Sequence, residues 1–250
     1  MAGVRFGHWP ARYCSDNGAC AEVIAPNWYD IPSRPRDGRS LAVGNERSIF
    51  AGPDNVWQSY GPPWANVSDT PFRLYKHFAH EGGIASPFIA HWPAAIQNGG
   101  NISRQLAHVT DILPTLVEIS GAHHPTNYDG HPILPLEGTS LLPIFDGKNR
   151  PHPPPIFGAH EGNRAVRLQA WKLVARQGQP WELYDAEADR TEQKNLAATR
   201  PEKVQELSNL SDAWVKRCNV VPPDELPRER QIVPTAGARL PAAQNKTATD

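Results

Sequence analysis

The chain has 250 residues, room for one large domain or two modest ones, because a domain usually holds roughly 100 to 200 residues. Its 25 Lys and Arg balance 26 Asp and Glu, which removes the basic footprint of a nucleic-acid or anionic-membrane partner and leaves a small molecule as the expected one. Three cysteines (Cys14, Cys20, Cys218) are too few for a disulfide scaffold, no apolar run approaches the roughly 18 to 20 residues of a membrane span, and residues 1–10 lack the basic start and apolar stretch of a signal peptide, so the chain reads as soluble with its localisation open.

In chain order, residues 1–14 show neither alternation nor a buried run. Residues 26–69, rich in Pro, Gly, Asn and Asp, predict a long ordered surface excursion without regular elements. The compact apolar run 84–92, stopped by Pro93, predicts a buried strand of a parallel sheet. A helix should follow, capped by Thr110, with Asp111 in its first turn, Ile112, Leu113, Leu116, Val117 and Ile119 on its apolar face, and Gly121 at its end. Prolines cluster across residues 143–155, which read as a linker. Beyond it Val166, Leu168, Trp171, Leu173, Trp181 and Leu183 lie in short runs split by residues 177–180, the pattern of a β-hairpin. Pro201 then suits the first turn of a helix whose Val204, Leu207, Leu210 and Trp214 form a stripe able to cover that hairpin. Residues 222–250 hold too little apolar surface to offset the entropy of ordering and predict a disordered tail.

Two clusters carry chemistry. In Ser15-Asp16-Asn17-Gly18 a carboxylate and a carboxamide stand side by side at a turn that Gly18 can tighten; two hard oxygen donors suit Ca²⁺ or Mg²⁺ rather than zinc. Taken alone, Asp-Asn-Gly is an ordinary turn sequence. The second cluster runs through Lys76, His77, His80 and Glu81-Gly82-Gly83 to Pro87. His77 and His80, three apart, could share a helical face as metal ligands, but no third ligand accompanies them at convincing spacing. His160-Glu161-Gly162 carries no assignment.

Taken in series, these clusters, the helix after Thr110, Gly138-Thr139-Ser140-Leu141-Leu142-Pro143, Trp171-Lys172-Leu173, Glu182-Leu183-Tyr184-Asp185 and Asn195-Leu196-Ala197 resemble the sulfatase family of the alkaline-phosphatase superfamily, in particular the C-terminal portion of a bacterial-type arylsulfatase. The resemblance runs from Ser15 to about Val215. It implies an α/β fold, a partial alkaline-phosphatase-like mixed sheet with flanking helices followed by a small α+β C-terminal unit (antiparallel sheet plus helix), divided as residues 1–150, 151–221 and a tail 222–250. It implies hydrolysis of a small-molecule sulfate ester by the complete enzyme, with Asp16 and Asn17 as two Ca²⁺ ligands and Lys76 as the catalytic residue that binds a sulfate oxygen. A related group of phosphodiesterases carries Asp-His-Gly at the first cluster, so Asn17 points to sulfate chemistry. The family's formylglycine arises from Cys-x-Pro-x-Arg or Ser-x-Pro-x-Arg, and neither occurs here: the second residue after each cysteine is Asp16, Glu22 or Val220. No nucleophile is therefore expected in this chain and its Ca²⁺ site is expected to be incomplete, which keeps a non-catalytic binding module as the alternative and a phosphodiesterase relative as a more distant one.

Overall fold

A computed structural model describes residues 11–15, 17–23, 35–59, 61–97, 99–150 and 153–226. The predicted tail falls mostly on residues 227–250, outside the described residues; residues 223–225 close the described chain with a single 3₁₀ turn.

The C-terminal unit forms as its sequence dictates, with more strands than the hairpin pattern predicted. Strands β7 (Ile156–His160), β8 (Asn163–Leu168), β9 (Trp171–Ala175) and β10 (Glu182–Asp185) make one antiparallel sheet in the order β10-β9-β8-β7. Helix α5 (Pro201–Cys218) lies across it, opened by Pro201 and closed by Asn219 in the left-handed conformation (φ 50°). Val166, Leu173, Leu183 and Leu207 are fully buried between sheet and helix, with Val204 and Leu210 against them. Trp214 extends the stripe by stacking on Phe157, ring centroids 5.3 Å apart. Each such side chain contributes on the order of 1.5–3 kcal/mol by leaving water.

The preceding part is a set of short elements. Strand β1 (Ala11–Cys14) comes first, then the parallel pair β2 (Ala42–Val43) and β3 (Val56–Trp57), helices α1 (Gly61–Asp69) and α2 (Glu81–Ile84), and strand β4 (Phe88–His91). Helix α3 (Ile112–Ser120), the hairpin β5 (Asn127–Tyr128) and β6 (His131–Pro132), and helix α4 (Leu142–Phe145) complete it. The chain is thus an α/β protein with mixed pairings and flanking helices, ending in an antiparallel sheet plus helix.

Four local expectations are corrected. The run 84–92 yields a short strand, β4, that pairs antiparallel with β1; Phe88 and Ile89 are 37% and 58% exposed, because β1 is its one neighbour and no described layer covers it. Residues 11–14 are themselves a strand, held by backbone pairing that side-chain periodicity does not reveal. Within 26–69, α1 forms where two prolines occupy a first turn that has no use for their missing N–H groups. Thr110 is not the cap of α3. His108 and Asp111 make a reciprocal capping box on a 3₁₀ turn ahead of it, while Gly121 ends the helix left-handed as expected. Asp111 also forms a buried ion pair with Arg150 (2.7 Å), and the Arg150 guanidinium donates to the Leu106 and Thr139 carbonyls.

Candidate functional site

The Asn17-Gly18 turn and the Lys76–Gly83 segment, 59 positions apart at Asn17 and Lys76, are docked main chain to main chain. Gly18 N–H donates to Gly83 O (2.9 Å) and Lys76 N–H donates to Ala19 O (3.0 Å). The approach is close enough that a Cβ on Gly18 would overlap the carbonyl of Gly82. Ala19 N–H is in turn held by the Asp69 carboxylate (2.9 and 3.2 Å), and Ala21, Ala65 and Tyr75 pack behind the junction. Beside it opens a cleft of about 390 Å³ whose wall includes Asn17, Cys20, Asp69, Phe72 and Pro87.

Lys76 is about one third exposed, its ammonium 3.4 Å from Glu22. Glu22 was not singled out by its sequence, which surrounds it with no motif. A hydrogen bond from the Cys20 thiol (3.1 Å), against partial burial and with the charges of Lys76 and His77, holds its carboxyl below the usual range. Burial, then that same carboxylate, push the Cys20 thiol up, so Cys20 is a protonated donor and no activated nucleophile. Glu22 also lies 3.2 Å from His77, whose other ring nitrogen meets Glu161 at 2.9 Å. His80, the residue the sequence paired with His77, turns the opposite way and is fully buried, 3.5 Å from Glu182.

A buried ionic frame lies beneath. Glu81 belongs to it: Lys172 Nζ, 1% exposed, stands 2.8 Å from Glu81 and 2.8 Å from Glu192, and Glu192 accepts from Glu81 N–H (3.1 Å). Burial, the largest influence, would raise the Glu81 carboxyl, but the charge and hydrogen bond of Lys172 together with the charges of Arg167 and Arg190 outweigh it and bring it down. Arg73 extends the frame, donating to Tyr184 Oη and Glu192 O (both 3.0 Å) and pairing with Glu182 (3.3 Å). Burial also opposes ionisation of Glu182, yet contacts with His80 and the Tyr184 hydroxyl and the charge of Arg73 carry it down to about 2 from 4.5. The Tyr184 hydroxyl is pushed up by burial and by that carboxylate.

A carboxyl lower in the folded than in the unfolded chain stabilises above its unfolded pKa and loses that contribution as pH falls. Glu182 should therefore contribute up to about 3 kcal/mol at neutral pH, lost between pH 4.5 and about 2. Urea unfolding across that window should show Glu182→Gln with a flatter acid limb than the parent; equal slopes would remove Glu182 from the acid response.

Asn17 is half-buried beside the cleft, while Asp16 lies outside the described residues. With the Asp69 carboxylate taken by Ala19 N–H, the described oxygens fall well short of the six to eight that Ca²⁺ takes, and they do not by themselves make a calcium site.

The Lys76–Gly83 segment and the ionic frame fall within the stretch of the chain that matches a known family. Residues 72–215 match the family described as N-sulphoglucosamine sulphohydrolase, C-terminal, and the chain belongs to this sulfatase family. Among curated relatives, an uncharacterized sulfatase of Schizosaccharomyces pombe is 33% identical over 205 residues, covering 78% of this chain and 35% of its own. The arylsulfatase of Klebsiella aerogenes is 39% identical over 93 residues, covering 37% and 20%. A crystal structure of Ps i-CgsB matches with a TM-score of 0.49 and 26% identity, over 58% of this chain and 32% of that one. The chain thus spans about a third or less of the length of these relatives.

Proposed function

We propose that this chain is the C-terminal part of a sulfatase that hydrolyses small-molecule sulfate esters of the arylsulfatase type, with Lys76 contacting a sulfate oxygen and Asp16 and Asn17 supplying two of the oxygen ligands to Ca²⁺. We divide it into the end of the α/β catalytic domain (residues 1–150), the sheet-and-helix unit (151–221) and a tail (222–250). The observation that carries the reading is the docking of the Asn17-Gly18 turn against the Lys76 segment through Gly18–Gly83 and Ala19–Lys76 hydrogen bonds, within a chain of the sulfatase family.

Members of the family use Ca²⁺ and a formylglycine. Calcium would neutralise charge on the sulfate; the residues here supply too few ligands to hold it by themselves. Lys76 contributes a point charge that binds a sulfate oxygen and stabilises negative charge building on the transferring group. Glu22 is its resting counter-ion and would be displaced by the incoming sulfate. The chain contains neither Cys-x-Pro-x-Arg nor Ser-x-Pro-x-Arg, so it supplies binding residues and no nucleophile, which also keeps open a second reading as a non-catalytic sulfate-binding module.

The test is calorimetric titration of the purified chain with inorganic sulfate, alongside an assay with a chromogenic aryl sulfate. Sulfate should bind weakly, Lys76→Ala should weaken it about 10-fold, as expected for a lost charge-assisted hydrogen bond, and Glu22→Gln should tighten it. Aryl sulfate turnover is not expected. Sulfate binding unchanged in Lys76→Ala, or turnover that survives it, would overturn the role given to Lys76.

A further inference from the structure

His77, His160 and Glu161 meet from two distant parts of the chain. His77 lies in the segment after Lys76, and the other two lie at the β7–β8 turn; one ligand atom from each lies within 4.8 Å of the others. His77 Nδ1 is 2.9 Å from Glu161 Oε2, His160 Nε2 is 3.5 Å from Glu161 Oε1, and the two imidazoles stack with centroids 5.8 Å apart. A single side chain pins both histidine backbones: Asn163, 6% exposed, donates through Nδ2 to His77 O (2.8 Å) and His160 O (3.1 Å). Two of the three donors also stand on costly backbone. His77 (φ 88°) and Glu161 (φ 50°) are left-handed, and a two-residue hairpin turn of this kind ordinarily places Asn, Asp or Gly at the position Glu161 occupies.

We propose that His77, His160 and Glu161 form a site for a borderline divalent transition ion of the zinc type. Two imidazole nitrogens and one carboxylate are the donor set of such ions, where Ca²⁺ would take oxygen alone, and three protein ligands leave a fourth position for water. His77 binds through Nδ1 while Glu22, 3.2 Å from Nε2, accepts the other ring proton and fixes the tautomer, the outer-shell carboxylate that such histidines usually have. Tetrahedral ligand atoms sit roughly 3.4 Å apart, so binding draws the His160 imidazole inward. That ring is 60% exposed and free to turn. The ion would clamp the segment bearing Lys76 to the C-terminal sheet.

The experiment is titration of the full chain with Co²⁺ followed by visible absorption, with Zn²⁺ competition as a second readout. One equivalent should develop the ligand-field bands of a nitrogen and oxygen site, reversed by Zn²⁺. His160→Ala, at an exposed position the fold does not depend on, should weaken binding at least 10-fold, as should Glu161→Gln, and Glu22→Gln should weaken it about 10-fold. Lys76→Ala should leave it unchanged, which separates this site from the sulfate reading. No absorption by the parent chain, a thiolate charge-transfer band reporting cysteine ligation, or equal affinity in His160→Ala and Glu161→Gln would overturn the assignment.

Discussion

Replacing Lys172 by alanine should cost about 3–5 kcal/mol, because it strips the shared counter-ion from two buried carboxylates at once. Lys172 Nζ stands 2.8 Å from both Glu81 and Glu192, and these three side chains are at most 8% exposed. Removing the ammonium leaves like charges facing each other, since Glu192 also reaches the backbone N–H of Glu81. Single domains are stable by about 5–15 kcal/mol, so the loss should be a large share of the total. Urea unfolding followed by tryptophan fluorescence would measure it. The companion variant Lys172→Met with Glu81→Gln and Glu192→Gln removes the charges together and should recover much of the deficit, because a buried ion pair replaced as a unit is often near neutral. A Lys172→Ala chain within about 0.5 kcal/mol of the parent, the ordinary range of surface changes, would mean that water reaches the frame.

Gly82→Ala should be damaging for a different reason. A Cβ there would overlap the carbonyls of Leu74 and Arg73, which are backbone and cannot rotate away, and Gly82 N–H itself donates to Arg73 O (3.0 Å). The main chain must move, at about 3 kcal/mol, the upper end for overpacking, or more. The movement falls on the segment that carries Lys76, so sulfate affinity should drop together with stability. Gly18→Ala meets the same junction from the other side, at the Gly82 carbonyl. The double variant should cost less than the sum of the singles, since either one already opens the contact. Additive losses would show that the two glycines do not share one strained approach.

What could be read in the sequence follows the range of the interactions. The α5 stripe, the Gly121 cap and the β9–β10 hairpin depend on neighbours a few residues away, and periodicity reveals them. Glu81 stands in a recognisable segment, but its partner Lys172 is 91 positions on, and nothing in Trp171-Lys172-Leu173 names the charge it balances. The His77 and His80 pair was judged by spacing along one helix. In the structure His77 has positive φ and finds its carboxylate 84 positions away, while His80 is buried against Glu182. Glu22 was invisible for the same reason: its role exists once Lys76 and His77 are folded onto it. The run 84–92 misled because apolar composition records what a strand prefers to touch, and β4 has a single neighbour among the described strands.

The order β10-β9-β8-β7 has every strand beside the one that precedes it in the chain, with the covering helix α5 next in line. A meander of this kind closes only short loops, so its contact order is low and little chain entropy is lost before contacts begin to form. The sheet and its helix can therefore assemble early and serve as a template. The segment carrying Lys76 and Glu81 would be recruited onto it later, through the long-range ion pair of Glu81 with Lys172 and the hydrogen bond from Glu81 N–H to Glu192.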